Sequence, residues 1–135
     1  MHIKKVVPVT AALITASGKV FVAKRKPSAR MPGLWEFPGG KIEKGETPEA
    51  CLKRELREEF EIEVEIGPYV GTSVYEYDFG IIELMAFMAK MAEGDIKLND
   101  HSEVAWVEAE AIGDYEFAPA DIPFVQMIRR GEVAL

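Results

Sequence analysis

Glu55, Glu58 and Glu59 stand at i, i+3 and i+4 in a stretch that reads as a helix. At about 100° per residue the three share one face, while Arg54 and Arg57 fall off it. Like charges at this spacing oppose helix formation by roughly 0.2–0.5 kcal/mol per exposed pair. Partly buried, two carboxylates about 5 Å apart repel by about 3 kcal/mol at an effective dielectric of 20. A helix with only a structural task would carry a lysine among them. A divalent cation removes the penalty, because clustered carboxylate oxygens and waters are what Mg²⁺, Mn²⁺ and Ca²⁺ bind. On the helix alone, a solvated acidic face is the competing reading.

The helix that must carry these groups has a sharp start. Thr47 suits the N-cap, Pro48 the first helical position and Glu49 the first turn. Leu52, Leu56 and Phe60 recur every four residues and make a buried stripe beside Glu59. The helix should stop near residue 60, because Ile62, Val64 and Ile66 then alternate with glutamates as in a strand. Upstream, 4–15 and 19–25 read as a hairpin turned at Ser17-Gly18. Residues 26–33 read as a loop, and Trp35 and Phe37 as a short strand ending at Gly39-Gly40. Downstream, 69–78 and 81–92 read as two strands turned at Asp78-Phe79-Gly80. The second of these would also suit a helix, and the hairpin context selects strand. A strand over 104–108, a helical turn over 109–114 and a helix over 123–130 complete the chain. No linker or repeat interrupts it, so 1–135 is expected to form one domain.

Gly39-Gly40 lets the backbone approach a ligand closely and can turn a carbonyl toward a metal. With the helix, it completes a longer pattern. Gly40 is followed by Glu46, then Arg54-Glu55-Leu56, Glu58-Glu59 and Ile62. This resembles the Nudix box, G-x5-E-x7-R-E-U-x-E-E-x-G-U, with U a bulky aliphatic residue. One fixed position departs: Glu61 stands where the family has glycine. That glycine typically adopts a left-handed conformation at the helix end. Glutamate there should cost about 1 kcal/mol and place a negative charge at the negative end of the helix dipole. A local change of the helix end is therefore expected, without loss of activity. The segments 35–50, 54–59 and 117–123 resemble MutT-like nucleoside triphosphate pyrophosphohydrolases, the last of them the bacterial CTP pyrophosphohydrolase branch in particular.

The resemblance implies an α/β (α+β) Nudix fold, an α/β/α sandwich with a central mixed sheet and the catalytic loop-helix. It implies Glu55, Glu58 and Glu59 as metal-binding glutamates, with the Gly39 carbonyl and Asp100 as further ligands of Mg²⁺ or Mn²⁺. One of Glu55, Glu58 and Glu59, or a distal acid that is Asp100 or Glu103, would take the proton of the attacking water; for Asp100 and Glu103 the alternative is ordinary loop charge. Gly40, Glu46 and Arg54 have structural places in the motif, the last two as an ion pair. Arg25 and Lys41 are candidate phosphate ligands or solvated surface charges. Phe37 would flank the base or sit in the core. Asp121 would read the base, cap the following helix, or both. The implied reaction is metal-dependent hydrolysis of a nucleoside triphosphate (CTP, dCTP or an oxidised dNTP such as 8-oxo-dGTP) to the monophosphate and pyrophosphate. The alternatives are ADP-ribose, dinucleoside polyphosphate or capped RNA as substrate, or a nucleotide-binding module without catalysis. The intact glutamates argue against the module.

The rest of the composition sets limits. A net charge of -7 argues against binding nucleic acid polymers, which needs a basic face. It also requires cations between this protein and a polyphosphate. The lone Cys51 permits no internal disulfide and reads as a small core residue; with only His2 and His101 beside it, Cys₄ and Cys₂His₂ zinc sites are excluded. Both histidines read as surface residues. No apolar run of about 18 residues exists, so the expectation is a cytoplasmic monomer or homodimer acting on a small nucleotide, with no membrane partner.

Overall fold

Alternation dictates the sheet. In the computed structural model, which describes residues 3–135, strands β1 (Val6–Ala16) and β2 (Lys19–Arg25) form an antiparallel hairpin. Ser17 and Gly18, both at positive φ, make its turn. β3 (Trp35–Glu36) pairs with β2, and β4 (Gly39–Lys41) pairs with the middle of β1. β5 (Glu63–Tyr77) and β6 (Gly80–Glu93) form a long hairpin, and β6 runs parallel to β1. β7 (His101–Glu108) pairs with β2. The sheet is mixed, with the main order β3-β2-β1-β6-β5.

Successive residues of the central strands face opposite sides, and each side is covered by one helix. Ala12, Ile14, Phe21, Ala23 and Phe87 pack under Leu52, Leu56 and Phe60 of α1 (Pro48–Phe60). Ala11, Leu13, Val20, Val22 and Ala86 pack under Phe124, Val125 and Ile128 of α2 (Ile122–Arg129). The result is the expected α/β/α sandwich. Leu52, Leu56 and Phe60 are fully buried, and each such side chain contributes about 1.5–3 kcal/mol of transfer free energy. That stripe fixes the rotation of α1 and so the direction of its glutamates. Thr47 caps the helix as expected, its hydroxyl accepting the Ala50 N–H at 3.1 Å.

Three expectations change. Gly67-Pro68 does not divide β5 into two strands; the strand runs through, with register shifts between Ile66 and Gly71. Its edge position makes the proline tolerable, since its missing N–H has no ladder partner to lose. β7 begins at His101, three residues earlier than read. The helix end also keeps the family geometry despite its glutamate. Glu61 takes the left-handed conformation (φ 57, ψ 39), and its N–H still reaches the Arg57 carbonyl at 3.0 Å. Among the described residues no helix is long and apolar enough to cross a membrane.

Candidate active site

A cavity of about 480 Å³ opens between the N-terminal half of β1, the β3–β4 turn, the C-terminal end of α1 and the segment before α2. Its lining includes the carboxylates Glu36, Glu59 and Asp100 and the apolar or aromatic side chains of Phe37, Tyr77 and Leu84. Arg25, Gly39, Lys41 and Asp121 also line it, so most of the residues singled out in the sequence meet there.

The glutamates of α1 divide into two environments. On the outer side Arg54 grips Glu46 with two parallel bonds, Nε to Oε2 at 2.6 Å and Nη2 to Oε1 at 2.9 Å. Contrary to the helical projection, its Nη1 also reaches Glu55 Oε1 at 2.9 Å and Glu58 Oε2 at 3.3 Å. Nη2 donates to the Lys41 carbonyl at 3.1 Å and so ties β4 to the helix. The Arg54 bonds hold the Glu46 pKa down at about 2. Glu58 is largely exposed, and among the described residues no three or more His, Cys, Asp or Glu side chains close into one ligand set.

Glu59 points inward, its side chain 12% exposed. Burial, and then the neighbouring carboxylates Glu55, Glu36 and Asp100, push its pKa far above the usual range. Its Oε2 and His101 Nδ1 are the buried side-chain polar atoms that lack a hydrogen-bond partner among the described residues, and they stand 3.7 Å apart. An unpartnered buried carboxylate oxygen facing other acids is costly unless something positive joins them. Glycines leave the space: a Cβ on Gly40 would run into the Glu55 carboxylate, and one on Gly39 into the Thr10 carbonyl. Oxygen donors, an orphaned carboxylate oxygen and a closely approaching backbone are the donor chemistry that a hard divalent cation selects.

His101 corrects the sequence reading, which placed it on the surface. It is 5% exposed, stacks on Phe60 at 5.0 Å, and its Nε2 lies 2.8 Å from Glu36 Oε2. His2 lies outside the described residues. Sequence reasoning missed Glu36 altogether. It joins Arg25 (Nη1 to Oε1, 2.7 Å) to His101, and the signal available was an acid lodged between the aromatic residues Trp35 and Phe37. Glu103 stands on the exposed side of β7, 3.9 Å from Lys24 Nζ, and does not line the cavity; Asp100 does.

Asp121 is not a helix cap. Its Oδ1 accepts the Phe37 N–H at 3.0 Å, and no capping bond to α2 forms. Burial, and then the charge of Glu36, push its pKa well above the usual carboxylate range. Phe37 takes the core place: it is 3% exposed and packs on Phe117 at 5.2 Å, and it also borders the cavity. Cys51 is the buried residue expected, its Sγ 3.4 Å from the Gly40 carbonyl; burial pushes its pKa up to about 11.

The family model described as NUDIX domain matches residues 4–128. The chain belongs to the Nudix hydrolase family. It is 38% identical over 122 residues to the CTP pyrophosphohydrolase of Escherichia coli, covering 90% of each chain. It is 31% identical to the 8-oxo-dGTP diphosphatase of Haemophilus influenzae, covering 93% of each. Among solved structures it is similar to the MutT protein of Methanosarcina mazei, with a TM-score of 0.85, 28% identity and 96% of both chains covered. Nudix hydrolases generally need a divalent metal ion.

Proposed function

We propose that this chain hydrolyses a nucleoside triphosphate to the monophosphate and pyrophosphate, with Mg²⁺ or Mn²⁺, as a cytoplasmic enzyme folded as one domain. CTP, dCTP and oxidised dNTPs such as 8-oxo-dGTP are the candidate substrates. The observation that carries the reading is one cavity lined both by mutually repelling carboxylates, with a buried unpartnered oxygen on Glu59, and by aromatic side chains with a buried aspartate. A polyphosphate with its cations fits the first, and a base fits the second.

Glu55 and Glu59, with Glu58 and the Gly39 carbonyl, would hold the cations. Bound there, these would neutralise polyphosphate charge and acidify a water. The protein's own residues do the rest. Arg54 fixes Glu55 and Glu58 in direction, so that little reorganisation is needed on binding. Asp100, which faces the cavity beside Glu59, is preferred to Glu103 as the distal acid that takes the water's proton. Lys41 and Arg25 can each meet a phosphate oxygen, although Arg25 must share its guanidinium with Glu36. Asp121, held by the Phe37 N–H, presents a carboxyl to the base. If protonated it can donate as well as accept, which suits a heteroaromatic edge.

The test is incubation with Mg²⁺ or Mn²⁺ and a panel of NTPs, modified dNTPs, ADP-ribose and dinucleoside polyphosphates, with products resolved by ³¹P NMR. Pyrophosphate and a nucleoside monophosphate are expected. Orthophosphate release, or turnover of ADP-ribose alone, overturns the reading.

A further inference from the structure

The one motif position at which this chain departs from its family is also where a distant segment is fastened to the catalytic helix. A helix ends with carbonyls that have no intrahelical partner. Here the segment between β6 and β7 supplies the donors. The Lys97 N–H bonds the Phe60 carbonyl at 2.9 Å, and the Asn99 N–H bonds the Glu59 carbonyl at 3.1 Å. The Asn99 side-chain amide then donates twice, to the Glu58 carbonyl at 2.9 Å and to Glu61 Oε2 at 3.1 Å. The second acceptor exists only because glutamate replaced glycine. The two residues that follow Asn99 are Asp100, which lines the cavity, and His101, whose ring faces Glu59.

We propose that Glu61 and Asn99 form a latch that sets Asp100 and His101 against Glu59, so that Glu61 is a positioning residue for the metal-binding part of the cavity. The inference rests on the reading of that part as a cation site. Its logic is one of opposed effects. Glutamate in the left-handed region is strained where glycine is not, so the helix end alone would favour glycine. A residue that costs stability in its own conformation persists when it makes a bond that function uses. The bond is a charge-assisted one from an amide to a carboxylate. It orients a side chain that already holds the helix by its main chain. Without it the Asn99 amide keeps one partner in place of two, and the backbone of 99–101 gains freedom beside the cations.

The experiment compares wild type with Glu61→Gly, Glu61→Gln, Asn99→Ala and the double variant Glu61→Gly/Asn99→Ala. Three quantities are read: Mn²⁺ affinity without substrate by electron paramagnetic resonance, the kcat and KM of the preferred substrate, and thermal stability. Glu61→Gly is expected to melt no lower than wild type, yet to bind Mn²⁺ about five- to tenfold more weakly and lose a similar factor in kcat with little change in KM. Glu61→Gln, whose carbonyl oxygen still accepts from Asn99, is expected to recover most of both. The double variant should be no worse than Asn99→Ala, because the pair acts through one bond. Wild-type Mn²⁺ affinity and kcat in Glu61→Gly overturn the latch, as do additive losses in the double variant or a wild type that binds no Mn²⁺. If wild type binds Mn²⁺ but hydrolyses no triphosphate, the proposed substrate class falls, and the affinities alone still decide for or against the latch.

Discussion

The two sides of α1 carry the same residue type in opposite states. On the outer side Glu46, Glu55 and Glu58 share the guanidinium of Arg54, at 2.6 to 3.3 Å. On the inner side Glu59 holds a buried oxygen with no hydrogen-bond partner among the described residues, and Glu36 and Asp100, with Glu55, stand nearby. A satisfied network explains itself as structure; an unsatisfied buried acid needs a ligand to explain it. Glu55 belongs to both groups, bonded to Arg54 on one side and close to Glu59 on the other, so the proposed cation site begins where the Arg54 network ends.

The sharpest way to break this contrast is to neutralise the inner side. Glu59→Gln is expected to lower kcat by roughly a thousandfold, while the metal-free protein folds at least as well as wild type. Retained turnover would mean that the cation site lies elsewhere. Next comes the other buried acid. Asp121→Asn keeps an acceptor for the Phe37 N–H but changes what is offered to the base. The ratio of kcat/KM between cytosine and purine triphosphates is expected to shift by roughly ten- to a hundredfold. An unchanged ratio assigns Asp121 to scaffolding.

The inner side should also show itself in the pH dependence of folding. Burial raises the folded pKa of Glu59 from about 4.5 to about 10. A carboxyl whose pKa is higher folded than unfolded stabilises the fold below the unfolded value and loses that contribution as pH climbs through the folded one. Metal-free protein is therefore expected to lose stability between about pH 4.5 and pH 10, and Glu59→Gln to flatten the slope, both measured by denaturant titration across pH. Equal slopes would place the unpaired charge on another group. The smallest effect is expected on the exposed side: Glu103→Ala should leave kcat within about twofold, since Glu103 is exposed and its ion pair among the described residues is with Lys24. A large loss would restore it as the distal acid.

Much of this was legible along the chain, for identifiable reasons. Thr47 and Pro48 announce the helix start because capping is local, and the Leu52–Leu56–Phe60 spacing sets its buried face because helical period is local too. What escaped depends on contacts between distant segments. His101 sits among Asp100, Ser102 and Glu103 and reads as loop. It is buried because β7 pairs with β2 and brings it over Phe60 and beside Glu36. Glu36 escaped because a lone acid in a two-residue strand has no period to betray its direction. Asp121 before Ile122-Pro123 reads as a cap, but its bond goes to Phe37, 84 residues away. At Glu61 the sequence marks the departure and its strain but not Asn99, which supplies the compensation from the far side of the β5–β6 hairpin.

The central claim is that Glu59 and the acids around it form a cation site, toward which Arg54 directs Glu55 and Glu58. Direct titration of Mn²⁺ into wild type and Glu59→Gln without substrate, followed by electron paramagnetic resonance, tests this most directly. Saturable binding by wild type is expected, with affinity lower by at least about tenfold in Glu59→Gln. Equal affinity in the two proteins would contradict the account.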